Sequence, residues 1–228
     1  MNEPVDTRPV ERREPVDLPE SVELRGAKVV LRDWTHADVD ALLTWITPPP
    51  EGGVHAWQRT DAPYFERWTA DGAAGYCRWL HERVDANDWP TPRLSLPIID
   101  TGTGAFVGQV SWYHEEKGNR PDDVPPGTGT YALPWIRIGI GIYPPDHWGG
   151  GYGTEAMSRW TDYLFATTTV GRLDYATWSG NVGMCRIGPK LGYREEARFR
   201  KARLVEGVLH DAVVFGVLRE EWEAARRG

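Results

Sequence analysis

The stretch WIRIGIGIYPPDHWGGGYGTEAM, Trp135 to Met157, leaves few folds open to this chain: an alternating strand runs into a glycine-rich turn, and the turn opens a helix. Ile136, Ile138, Ile140 and Ile142 share one face of the strand, while Arg137, Gly139 and Gly141 occupy the other and leave it short of side-chain bulk. Gly149, Gly150, Gly151 and Gly153 are more glycine than one tight turn requires. From Thr154 a helix is predicted to about Thr167, with Met157, Trp160, Tyr163 and Leu164 as its apolar stripe. A strand, a glycine turn and a helix N-terminus together make an anion cradle. Backbone N–H groups point outward, the helix dipole favours negative charge, and missing Cβ atoms permit close approach. A phosphate-bearing ligand suits it; glycines that merely form the turn are the alternative these residues leave open.

The rest of the chain reads as mixed α and β. VELRGAKVVLRDW predicts a strand after a turn at Gly26, and THADVDALLTWI an amphipathic helix with Thr35 as N-cap, Asp38 in the first turn and Val39, Leu42, Leu43 and Ile46 at helical spacing. Pro48 to Trp68 is rich in proline, glycine and aromatics and is read as an irregular, substrate-side loop. A helix is predicted from Asp71 to Val84, then two strands, RLSLPIID and AFVGQVSWYHEE, around a TGTG turn, then a long loop, KGNRPDDVPPGTGTYALP. After the glycine helix, RLDYATW predicts a strand, SGN leads into a segment ending at PKLGY, and the last stretch predicts two strands around Glu206-Gly207. Most of the tryptophans in the helical half (Trp45, Trp57, Trp68, Trp79, Trp89) are expected in the core, with a minority left for an acceptor pocket.

Composition narrows the partners. A chain of 228 residues fits one domain with additions, and a net charge of -7 gives no general pull toward nucleic acid or anionic membrane. Two cysteines, Cys77 and Cys185, have no paired spacing, so neither a disulfide framework nor a cysteine metal site is expected, and the cytoplasm is the natural compartment. No His/Cys/Asp/Glu set shows metal-ligand spacing. Residues 1–20 alternate proline with charge and lack an apolar core, which predicts a flexible arm rather than a signal peptide or anchor. Such an arm can dock on the folded domain, residues 21–228, or on a second subunit in a homodimer.

Two cofactor classes use a glycine cradle. GYGTEA fits the dinucleotide pattern through Gly151, Gly153 and Ala156, with Asp174 roughly 20 residues further on as a ribose partner. That motif normally opens a βαβ series, whereas here a long mixed segment precedes it. A Walker loop is excluded, since no Gly-Lys-Ser or Gly-Lys-Thr follows the glycines. IGIGIYPPDHWGGGYGTEAM, followed by NVGMCRIGPKLGY, resembles the GNAT acyl-CoA N-acyltransferases, in particular the branch with the ribosomal-protein N-acetyltransferases. The likeness runs from about Val22 to Trp222. It implies a single α/β domain with a mixed, splayed central sheet flanked by helices, and acetyl-CoA as cosubstrate lying in the splay after Tyr143. The family's glutamine or arginine, glycine, glycine-or-alanine pattern maps onto Trp148, Gly151, Tyr152 and Gly153, with Trp148 the departure. The pyrophosphate contact is thereby placed on Trp148, Gly149, Gly150, Gly151, Tyr152, Gly153 and Thr154. Asn181, 11 residues before Gly192, matches the family's asparagine, whose amide can hold pantetheine; a helix cap is its structural alternative.

The same resemblance places the carbonyl-polarising backbone N–H near Gly141, Ile142 and Tyr143. Beyond that, the sequence departs from its relatives. Where many carry a glutamate in an EIG segment, this chain has Arg137 in RIG, a charge reversal that argues against a base there. Where relatives place a tyrosine or a serine to protonate the thiolate, it has Gly188 and Met184. The catalytic groups stay unassigned: Cys185 and His114 are candidates, against a buried filler and a solvated strand end respectively. Glu115 and Glu116 share that strand end, His147 is read as a surface residue and Tyr193 as core. The expected function is acetyl transfer from acetyl-CoA to a primary amine, on a peptide or protein N-terminus or a small molecule. A catalytically silent acyl-CoA-binding domain and a nicotinamide-dependent oxidoreductase are the alternatives.

Overall fold

Sequence-local pairing builds most of the sheet, and one crossover decides where it opens. The computed structural model describes residues 21–113 and 135–227. Its eight strands form one sheet in the order β1-β2-β3-β4-β5-β6-β8-β7. The strands are β1 Glu23–Arg25, β2 Val29–Arg32, β3 Ser95–Asp100, β4 Phe106–Tyr113, β5 Trp135–Ile142, β6 Arg172–Trp178, β7 Arg194–Val205 and β8 Val208–Leu218. Neighbours pair antiparallel except β5 and β6, which run parallel and are joined by helix α3, Tyr152–Thr167. A parallel pair needs such a crossover, because its strands cannot be closed by a hairpin. The arm over 1–20 and the segment with His114, Glu115, Glu116 and the long loop lie outside the described residues.

The helices divide between the two faces. On one side, α1 His36–Ile46 and α2 Ala70–Ala86 enclose a cluster of Trp34, Val39, Leu42, Ile46, Trp57, Ala73, Cys77, Leu80 and Tyr143. On the other, the larger core gathers Leu96, Ile98, Val110, Ile136, Ile138, Met157, Trp160, Leu164, Leu173 and Phe215 under α3. Helices α4, Val182–Leu191, and α5, Arg219–Arg227, complete that layer. Thr35 caps α1 as its sequence predicts, in a reciprocal capping box with Asp38. Helix α2, expected from about Asp71 to Val84, runs from Ala70 to Ala86, because Thr69 caps it and Asn87 ends it in the left-handed region. Trp57 is core and Trp45 and Trp89 pack partly against it, but Trp68 and Trp79 are exposed.

The opening lies between the parallel strands. β5 pairs with β4 through Ile142, yet with β6 only from Trp135 to Arg137. β6 meanwhile stays with β8 as far as Trp178. The two strands therefore part immediately after the Arg137–Asp174 pair. Arg137 holds Asp174 through two nitrogens, at 2.8 and 2.9 Å, and Arg172 adds a third contact at 3.3 Å. The ion pair rivets the sheet at the point where its hydrogen bonds stop.

Candidate active site

The glycine turn is built by backbone conformation. Gly151 is the N-cap of α3 with φ +91°, a left-handed geometry that an L side chain rarely adopts. That cap starts α3 at Tyr152, two residues before the predicted Thr154. Gly151 brings no side chain to cap the helix, so the N–H groups of Tyr152, Gly153 and Thr154 have no intrahelical acceptor and point out of its positive end. Gly153 has a packing reason of its own: a Cβ there would sit 3.2 Å from Ile187 Cδ1 on α4. Gly150 has neither a positive φ nor a close neighbour nearer than the Tyr152 ring at 3.4 Å. Trp148 ties the turn to the strand end, its Nε1–H donating to Ile142 O at 2.8 Å.

Two carboxylates brace the turn from behind, and neither stands out in the sequence. Glu155 accepts from the N–H groups of Ala27, Lys28 and Val29 at 2.7, 2.7 and 3.0 Å. Burial pushes its carboxyl up, but those three bonds outweigh it and hold it below the usual glutamate value. Lys28 Nζ donates to Gly150 O at 2.6 Å. Asp100 meets His147 Nε2 at 3.1 Å and accepts from the Tyr152 hydroxyl at 3.0 Å, so His147 is a brace rather than a solvated surface group. Only a fold that brings β1–β2, β3 and α3 together reveals these contacts.

Along the gap, strand geometry sorts the amides. Tyr143 N–H donates to Val107 O at 2.9 Å, and Gly141 C=O also faces β4, toward Gly108. Peptide groups alternate sides along a strand, so the N–H groups of Ile140 and Ile142 face the side that β6 has left. Gly141 keeps the strand face clear, and Tyr143 contributes a buried ring rather than an open amide. Across the gap Asn181 caps α4 through Oδ1, which accepts from Met184 N–H at 3.1 Å. Its Nδ2 donors remain for a ligand carbonyl, so cap and pantetheine contact are compatible. Cys185 packs half-buried, its thiol directed at Trp178 O at 3.7 Å; burial raises its pKa and keeps it a thiol. Tyr193 is buried and bonded to Thr161 at 2.7 Å, a core position as read from the sequence.

The gap widens into a cleft of about 540 Å³ on the α1/α2 side, floored by Gly139, Gly141 and Tyr143 and walled by Trp57, Phe65, Trp68 and Trp178. The wall is held by long-range bonds: Trp178 Nε1–H donates to Thr60 O at 2.8 Å, and Arg203 of the β7–β8 hairpin stacks 4.6 Å over Tyr64. Asp61 reaches into this cleft. It is open to the water in the cleft yet surrounded by protein, and that desolvation pushes its carboxyl up to about 6. Its loop, Pro48 to Trp68, is the one expected on the substrate side, but a lone aspartate among turn residues carries no periodic or motif signal.

Asp174, the ribose partner a dinucleotide would need, is fully buried and held by Arg137 and Arg172, with no oxygen to offer a ligand. A mostly antiparallel sheet with one parallel pair is likewise no dinucleotide fold. What remains is a splayed sheet whose open strand edge lies beside an uncapped helix N-terminus. Residues 28–194 match the acetyltransferase (GNAT) domain family, and the chain belongs to that family of N-acyltransferases. Among its relatives, a Bacillus subtilis (strain 168) protein provisionally named ribosomal N-acetyltransferase YdaF is 25% identical over 142 residues, covering 61% of this chain and 69% of that one. A GNAT-family acetyltransferase structure from Bacillus anthracis superimposes with a TM-score of 0.61 at 16% identity, covering 88% of this chain and all of that one. The structure of yncA from Salmonella typhimurium with its cofactor acetyl-CoA reaches a TM-score of 0.58 at 16% identity, over 85% of this chain and 95% of that one. No helix among the described residues is long and apolar enough to cross a membrane.

Proposed function

We propose that this protein acetylates a primary amine, on a peptide N-terminus or a small molecule, using acetyl-CoA in the cytoplasm. The carrying observation is the parting of β5 and β6 directly beside an uncapped α3 N-terminus, which joins a slot for a chain to a cradle for a phosphate. Acetyl-CoA supplies an activated thioester; the residues supply placement. The amides of Tyr152, Gly153 and Thr154 suit a pyrophosphate, Asn181 Nδ2 a pantetheine carbonyl, and the open amides of Ile140 and Ile142 are donors for a polarised carbonyl oxygen. Asp61 lies on the acceptor side and is the group placed to receive the proton an attacking amine must lose. A carboxylate titrating near 6 is ionised at neutral pH and is a stronger base than an ordinary aspartate.

The test is calorimetry followed by turnover. CoA should bind well above NAD or NADP, and acetyl-CoA should release free thiol with members of an amine panel. Tighter binding of NAD than CoA would sink the reading. CoA binding without turnover on any amine would leave a silent acyl-CoA-binding domain.

A further inference from the structure

The cleft holds charges with nothing to do. Arg137, one of its ionisable side chains, is committed to Asp174. Asp61 and Arg203 remain, one of each sign, and they do not pair with each other. Among the described residues the Asp61 carboxylate has no hydrogen bond or ion pair. Among the described residues the Arg203 side chain donates only to Ala202 O, at 3.3 Å, and its Nε is buried with no hydrogen-bond partner there. An arginine that lines a cleft and meets no carboxylate among the described residues is set up for an anion that arrives from outside. Its guanidinium is oriented by stacking on Tyr64, which presents a planar fork to a carboxylate. In the same cleft, Phe65 and Trp68 show 67% and 40% of their surfaces to water, apolar area open to a ligand.

We propose that the acceptor is a free amino acid with an apolar or aromatic side chain: its amine at Asp61, its carboxylate on Arg203 and its side chain against Phe65 and Trp68. This rests on the acetyl-transfer reading and names its substrate class. A zwitterion offers a partner to each charge, whereas a simple amine leaves the Arg203 guanidinium without an anion and an internal peptide bond replaces the carboxylate with a neutral group. The chemistry balances within that activity. The ammonium gives one proton to Asp61, the freed amine nitrogen forms a bond to the acetyl carbon, the carbon–sulfur bond breaks, and the second proton that the nitrogen sheds passes through water to the departing thiolate.

The experiment compares L-phenylalanine, L-tryptophan, L-leucine and L-methionine, each with its own amide and with a short peptide that it begins, by thiol release from the full chain. At least one free acid should exceed its amide tenfold or more in kcat/KM. Arg203→Ala should remove that preference, lowering the acid at least tenfold more than its amide, and Arg203→Lys should restore part of it. Amides or peptides used as well as every acid, or equal losses for acid and amide in Arg203→Ala, overturn the proposal. If no amine is turned over, the acetyl-transfer reading fails separately. Tryptophan-fluorescence titration then decides the clamp: tighter binding of L-phenylalanine than phenethylamine, lost in Arg203→Ala, sustains it, and equal binding overturns it.

Discussion

At the scale of single residues, Asp61 links stability to activity. Its carboxyl stands near 6 in the folded protein against about 3.8 ordinarily, so between those values the folded state holds the extra proton. Stability therefore falls as pH rises through that window and stays lower above it. Asp61→Asn should raise Tm near pH 7.5 and leave it nearly unchanged near pH 4, by calorimetric melting. The same variant should lose most of its kcat/KM, and the acid limb of the wild-type profile near pH 6 should vanish with it. A lower Tm at neutral pH would mean that the carboxylate is stabilised in place. Gly151 is the other residue whose role is set by its own atoms. An alanine Cβ has room, with only Lys28 Nζ at 3.9 Å, so the cost of Gly151→Ala is the left-handed backbone, about 1–2 kcal/mol in urea unfolding. CoA affinity should drop alongside, about tenfold, as the turn shifts away from its ligand.

At the scale of elements, the sheet is held shut by β4–β5 and β6–β8 pairing on either side of a gap, and the Arg137–Asp174 pair sits at its apex. Arg137→Ala leaves a fully buried carboxylate with Arg172 as its remaining cation. Breaking a buried pair typically costs 3–5 kcal/mol; the Arg172 contact puts the expected loss near the low end, about 3 kcal/mol by urea denaturation. Because the gap starts at this pair, CoA binding should weaken more than that of a surface control such as Arg186→Ala. The charge reversal that counts against a base at Arg137 thus has a structural cause.

At the scale of the whole molecule, two cores lie on opposite faces of one sheet and the cleft borders the smaller. Trp160, fully buried under α3 and bonded to Ser111 O at 3.1 Å, belongs to the larger. Trp160→Ala should cost about 3–5 kcal/mol in urea unfolding. Trp57→Ala, in the smaller core and at the cleft wall, should cost less and raise the acceptor KM while CoA affinity stays close to wild type. Equal effects of both variants on acceptor KM would mean that the two faces are coupled.

Much of this was legible in the residues. The isoleucine and glycine alternation of β5, the glycine turn, the α3 stripe, the Thr35 cap and Asn181 are local patterns, set by period, capping and backbone freedom within about 10–20 residues of chain. The strand-turn-helix and its phosphate cradle follow from them because each element satisfies most of its own backbone. What brings Glu155 to Ala27, Asp100 to Tyr152, Trp178 to Thr60 and Arg203 to Tyr64 is long-range packing, and no short window contains both partners. The acceptor side belongs wholly to that class. A carboxylate acquires an unusual affinity for protons, and an arginine an unmet donor, only when the fold encloses them, since desolvation is a property of the assembled cleft and not of any stretch of chain.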